Sequence, residues 1–137
     1  MDKFILFGHA HFLTIGIGIV ISILLIILGF FIRKDSLSKF LAITILGIKI
    51  AELIFRNHYY KEQVIELLPF HLCNLALILA IIMMSFTSKI VFQPLYFWSI
   101  GALFAIITPE LRDGMDNFAS ISFFITHFLF YLAWPMV

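Results

Sequence analysis

The chain has 137 residues, of which 63% are hydrophobic and 12% charged, with a net charge of +1. Soluble domains carry roughly 25% charged residues, so a soluble globular domain is excluded. The near-neutral balance, with no basic run longer than Arg33-Lys34, excludes a nucleic-acid surface. The one cysteine, Cys73, rules out an internal disulfide and any paired-cysteine metal knuckle.

Residues 4–32 contain no ionisable side chain other than His9 and His11. About 20 apolar residues cross a hydrocarbon core roughly 30 Å thick, so the first span is placed at about residues 12–32. It is too long for a signal-peptide core and has no small-residue cleavage site followed by polar sequence, so it reads as a mature helix. Arg33, Lys34, Asp35, Ser36 and Ser38 read as a polar loop, and a second span follows at about 40–55. Arg56 to Glu66 reads as a polar connector whose Tyr59-Tyr60 pair suits an interfacial aromatic belt. The third span is placed at about 68–86, with Pro69 in its first turn, where a missing N–H costs nothing. The fourth covers about 90–108, again with a proline, Pro94, in its first turns. Thr108 to Asn117 reads as an Asp-rich loop, and the fifth span runs from 118 to 137.

The expected fold class is therefore all-α, a polytopic transmembrane helical bundle of about five spans forming a single domain over 1–137. The apolar runs are continuous rather than alternating, which argues against a barrel. Mean hydropathy of +1.11 places the chain in the cell membrane as a multi-pass protein. Lys and Arg are evenly divided between the two sides, and the denser Arg33–Lys39 cluster places the N-terminus outside. The end at Val137, just after Trp134-Pro135, reads as that of a fragment, part of a six- or seven-span fold.

Polar groups are distributed unevenly across the expected bundle. Antiparallel spans bring His9, His11, Lys49, Glu52, Arg56, His71, Cys73, Asn74, Thr108, Glu110 and His127 into one half of the membrane. At about 1.5 Å per residue, Cys73 and His127 lie roughly 8 and 14 Å below that surface. The opposite half holds Ser22, Thr44, Ser85, Thr87, Ser88 and Gln93, none of them ionisable. A charge within a span costs of the order of 2.5–3.5 kcal/mol, so a polar cavity open to the first side is expected.

Each of these groups also has a structural reading. Lys49, Glu52 and Arg56 are spaced to pair along one helix, although Lys49 or Arg56 would also suit a substrate headgroup. His9 and His11 fit an interface, and an isolated cysteine in an apolar helix is usually a small inert core residue. His127, flanked by Phe123, Phe124 and Phe128, needs partners for its nitrogens in hydrocarbon. Within the third span His71 and Asn74 share a face, whereas His71 and Cys73 do not. A base for Cys73 must therefore come from another helix, and His127 has the compatible depth. Apolar surroundings raise a cysteine pKa, and an imidazolium or a helix N-terminus lowers it. A thiolate at Cys73 would attack an ester or thioester carbonyl to form an acyl-enzyme.

The strings LPFHLCNLAL at Leu68–Leu77, QPLYFWSIGALFAIITPEL at Gln93–Leu111 and FFITHFLFYLAW at Phe123–Trp134 carry a resemblance. With the N-terminal FGHAH they make the chain similar to a bacterial integral membrane family resembling the eukaryotic transmembrane-protein-164 lipid acyltransferases. A more distant likeness is to the androgen-induced-gene lipid hydrolases. The resemblance covers nearly the whole chain and implies a catalytic pair of Cys73 as nucleophile and His127 as general base. The family's later Asn-Tyr-containing segment is absent here.

The leading expectation is a membrane-embedded acyltransferase or acyl hydrolase acting on lipid. His71, Asn74 and Glu52 would orient groups or polarise the carbonyl, with Lys49, Arg56 and His11 as further supporting residues. Membrane lipids are the expected partners, as acyl donor and acceptor, with no cofactor and no metal. Two alternatives stand beside it. One is a metal-dependent hydrolase with zinc or iron held by His9, His11, His71, His127 and Glu52, which lacks helical His-x₃-His spacing. The other is a transporter, channel or assembly subunit whose charged half is a binding vestibule. Substrate and oligomeric state are not legible in the residues.

Overall fold

The computed structural model describes residues 3–63, 72–86, 89–111 and 113–133, with the side chains of Leu72, Cys73 and Lys89 set aside. Among these residues the regular elements are all helices. They are α1 (His9–Phe31), α2 (Lys34–Tyr59), α3 (Leu72–Phe86), α4 (Lys89–Ile107) and α5 (Phe118–Tyr131). Two of them, α1 and the Ile90–Ile107 stretch of α4, are long and apolar enough to cross a membrane. Helices α3 and α5 are also apolar over their described residues.

Helix α2 departs from the sequence expectation at its start. The expected polar loop at Arg33–Ser38 is helical from Lys34 onward, with Arg33 as N-cap residue. Asp35 lies in the first turn, where a carboxylate is favoured by the helix dipole, and binds Lys39 one turn later at 3.1 Å. Ser38 is buried, and its hydroxyl donates to the Met84 carbonyl of α3 at 2.8 Å. The polar residues here are thus a helix N-terminus and a packing contact. At its other end α2 continues four residues past the expected Phe55, taking Arg56 out of the connector and into the helix.

The core lies where α3 meets α2 and α4, and α2 also packs on α5. Ile45, Ala80, Met83, Leu95 and Phe130 are buried at its centre. Alanines on α3 (Ala76 and Ala80) keep that helix close to its neighbours, as small residues do between membrane helices. Hydroxyls in the apolar helices satisfy themselves on the preceding turn: Thr14 on Ala10, Ser22 on Gly18, Thr44 on Phe40 and Thr126 on Ser122. This accounts for Ser22 and Thr44 within the apolar stretches of α1 and α2. Pro94 sits inside α4 and removes the bond its N–H would make to Ile90.

Helix α1 lies outermost and touches mainly α5. Its approach depends on Gly18, where an added Cβ would stand 2.2 Å from the Phe128 ring. Below that contact His11 is fully buried. Its Nε2 donates to the Ile106 carbonyl at 3.0 Å, and its Nδ1 accepts from the Phe7 N–H at 3.2 Å. Ile106 is the penultimate residue of α4, so its carbonyl has no partner within the helix. His11 supplies that partner and ties α1 to the end of α4. Phe7 adopts a left-handed φ of 58° to make this turn, a conformation uncommon for bulky residues.

Candidate functional site

Lys49, Glu52 and Arg56 of α2 line a cavity of about 570 Å³ shared with α3, α4, α5 and the segment that precedes α5. Glu52 is 4% exposed and sits between Lys49 Nζ at 3.0 Å and Arg56 Nη1 at 3.6 Å. Arg56 reaches on to Glu62, with Nη2 at 2.8 Å and Nε at 2.9 Å. The pairing of Lys49, Glu52 and Arg56 follows the i,i+3 and i,i+4 spacing of the sequence. Glu62 does not, because it lies beyond the end of α2 and only the fold of the connector brings it back.

The opposite wall is built around the N-terminus of α5. Asn117 caps the helix by accepting from the Ala119 N–H at 2.8 Å, and its amide donates to Asp113 at 3.0 Å. The Tyr60 phenol also donates to the Asp113 carboxylate, joining the end of α2 to this loop. Burial, reinforced by the Asp113 hydrogen bond and charge, pushes the Tyr60 phenol up to about 12. Tyr60 was expected at a membrane interface, and its role as a cross-link is legible only from the tertiary contact. Glu110 completes the set, so the described walls carry four carboxylates against two cations.

His127 also lines this cavity, nine residues past the first residue of α5. It is 4% exposed and lies against the Phe123 ring, with centroids 4.1 Å apart and the planes tilted by 33°. Its Nδ1 is 2.7 Å from the Phe123 carbonyl. A carbonyl accepts only, so Nδ1 carries the proton there and Nε2 presents a lone pair in the neutral ring. That Nε2 is buried and has no hydrogen-bond partner among the described residues. Buried polar atoms in this state are uncommon and ask for an explanation. His127 also lines a second cavity, of about 210 Å³ and lined otherwise by apolar and aromatic residues of α3, α4 and α5.

The remaining expected residues fall as follows. Asn74, in the first turn of α3, lines the charged cavity together with His127. Cys73 is the neighbouring residue of that turn; its side chain, and the whole of His71, lie outside the described residues. His11 is remote in role, with both ring nitrogens taken by backbone groups. His9 is exposed at the start of α1. Among the described residues no three His, Cys, Asp or Glu side chains gather in a way that would hold a metal ion.

Comparison with known proteins agrees with the sequence resemblance. Over 133 residues the chain is 29% identical to an uncharacterized protein of Treponema pallidum (strain Nichols), covering 92% of this chain and 54% of that protein. The chain thus spans about half the length of the curated relative it matches. No solved structure matches it. The profile of the TMEM164 family matches residues 6–137, and the chain belongs to that family.

Proposed function

We propose that this protein is a multi-pass integral membrane enzyme that transfers or hydrolyses lipid acyl groups, with Cys73 as nucleophile and His127 as general base. The observation that carries this reading is the state of His127. A buried imidazole has one nitrogen fixed by its own helix and the other unpartnered among the described residues, and it lines both a charged cavity and an apolar one. Such a nitrogen is suited to accept a proton in a low-dielectric site. Membership of the family and the apolar helices α1 and α4 support the membrane setting.

In the proposed reaction His127 Nε2 takes the Cys73 thiol proton and Sγ attacks the lipid ester carbonyl. Collapse of the tetrahedral adduct breaks the ester C–O bond, and the imidazolium returns the proton to the departing alkoxide. A second hydroxyl, from a lipid or water, then gives its proton to His127 and attacks the thioester, which releases the acyl group and restores the thiol. In this reading the Asn74 amide, next to Cys73 in the sequence, donates to the developing oxyanion.

The test is acyl turnover by purified protein in mixed lipid, together with labelling by a lipid-like electrophile. Cys73→Ala is expected to abolish both, and His127→Ala to slow labelling by at least about 10²-fold, the scale of general-base catalysis. Turnover that survives Cys73→Ala would falsify the proposal.

One observation favours a second reading, a transport or binding vestibule. The Lys49–Glu52–Arg56–Glu62 chain continues ion pairing along one wall of a large cavity, and intramembrane charges mark such pathways. Under this reading Cys73→Ala is silent and Glu52→Gln changes solute flux.

A further inference from the structure

The apolar cavity beside His127 has no part in the proton transfers above, yet its position gives it a definite chemistry. It lies between α3, α4 and α5, and its walls include Leu77, Phe97, Trp98, Gly101 and Phe130. It is a groove open at one flank, because Phe97 is 72% exposed and Gly101 is also exposed. That flank belongs to α4, one of the two helices apolar and long enough to cross a membrane. His127 lines both this groove and the cavity of Lys49, Glu52 and Arg56. A ligand filling both spaces needs a hydrocarbon chain at one end, a polar group at the other and its reacting bond near the imidazole.

The geometry points to this groove as an acyl-chain slot that admits one hydrocarbon chain of a lipid sideways from the bilayer, with Gly101 as the residue that keeps it open. This deepens the lipid acyl-transfer reading and rests on it for the position of the ester, although binding in the slot requires no reaction at Cys73. Gly101 sits in the middle of α4, where alanine is the better helix former. No neighbouring atom demands glycine there, since a Cβ at position 101 would meet nothing within 4 Å. What the missing side chain leaves is open space in the wall of the groove. A Cβ at the same place displaces no neighbour, and the leucine side chain built on it is expected to occupy volume that a chain would otherwise fill. Leu77, Phe97, Trp98 and Phe130 supply the apolar contact, and chain affinity in such a slot rises with each buried methylene.

Trp98 provides a direct readout. The chain has two tryptophans, so Trp134→Phe leaves Trp98 as the sole fluorophore. The full chain in this background is titrated, in detergent, with a long-chain lysophosphatidylcholine brominated along its chain, and Trp98 quenching is followed. Saturable quenching is expected, displaced by unlabelled long-chain lysolipid and far less by a short-chain one. Gly101→Leu should weaken the apparent affinity about tenfold, the loss expected when roughly two buried methylenes are displaced. Gly47→Leu, at another glycine whose Cβ would meet nothing within 4 Å, should leave affinity unchanged. A second measurement uses Gly101→Cys in a Cys73→Ala background, where long-chain lysolipid should slow maleimide labelling. The slot is overturned by quenching that never saturates, by an affinity that Gly101→Leu leaves untouched or Gly47→Leu lowers equally, or by labelling that ignores the lysolipid. Failure of the catalytic reading appears elsewhere, as turnover that survives Cys73→Ala, and the two outcomes are independent.

Discussion

Replacement of Glu52 by leucine tests whether the charges on α2 hold the cavity wall together. The Glu52 side chain is 5% exposed and that of Lys49 19%, with 3.0 Å between their charged atoms. Removal of one partner of a buried ion pair costs about 3–5 kcal/mol, because the remaining charge stays desolvated. Lys49 keeps some contact with the open cavity, which lowers the expected cost to about 2–3 kcal/mol, and Arg56 retains Glu62 at 2.8 Å. For a chain of this length that corresponds to a fall in Tm of roughly 10 °C. The assay is thermal unfolding in detergent, followed by intrinsic fluorescence and by loss of the monodisperse peak. The double variant Lys49→Met/Glu52→Leu removes both charges and should recover most of the loss, since apolar pairs of similar volume are commonly as stable as the ion pair. The cycle should therefore show non-additivity of about 2 kcal/mol. A Glu52→Leu variant as stable as the parent would show that the pair contributes nothing, and the structural account of the cavity wall would fail.

Two further outcomes follow from the packing and the loop. Gly18→Leu should destabilise the docking of α1 on α5 by about 1–3 kcal/mol through overpacking, because Phe128 occupies the space a side chain needs, while Gly16→Leu should be nearly neutral since nothing lies within 4 Å of its Cβ position; equal unfolding temperatures for the two variants would contradict the α1–α5 contact. Tyr60 holds its proton more tightly when folded, with a pKa of about 12 against an ordinary 10.0. The unfolded chain therefore loses that proton first. The stabilisation is fully present below pH 10 and lost as pH rises from 10 towards 12. Urea midpoints across that window should fall more steeply for the parent than for Tyr60→Phe, and parallel curves would refute the Tyr60–Asp113 link.

Much of the architecture was legible in the residues because hydrophobic runs of this length have few structural solutions. The helices lie close to the apolar stretches, and the Lys49–Glu52–Arg56 pairing follows from helical spacing alone. Sequence and structure differ where polar residues suggest a loop. Arg33–Ser38 looked like a connector, but a helix N-terminus accepts an acidic first turn, and a buried serine can bond a neighbouring helix's carbonyl. His11 looked interfacial because its partners, the Phe7 N–H and the Ile106 carbonyl, are backbone groups that leave no trace in side-chain chemistry.

Composition by itself determined that the chain is helical and apolar, and periodicity along α2 determined which charges pair. Tertiary structure alone decided that Glu62, Tyr60 and Asp113 join the cavity and that His127 faces two cavities of opposite character. The physical reason is range. Helical hydrogen bonds and i,i+4 pairs act within one turn of chain, whereas a cavity is the space left between helices, set by how residues far apart in sequence pack.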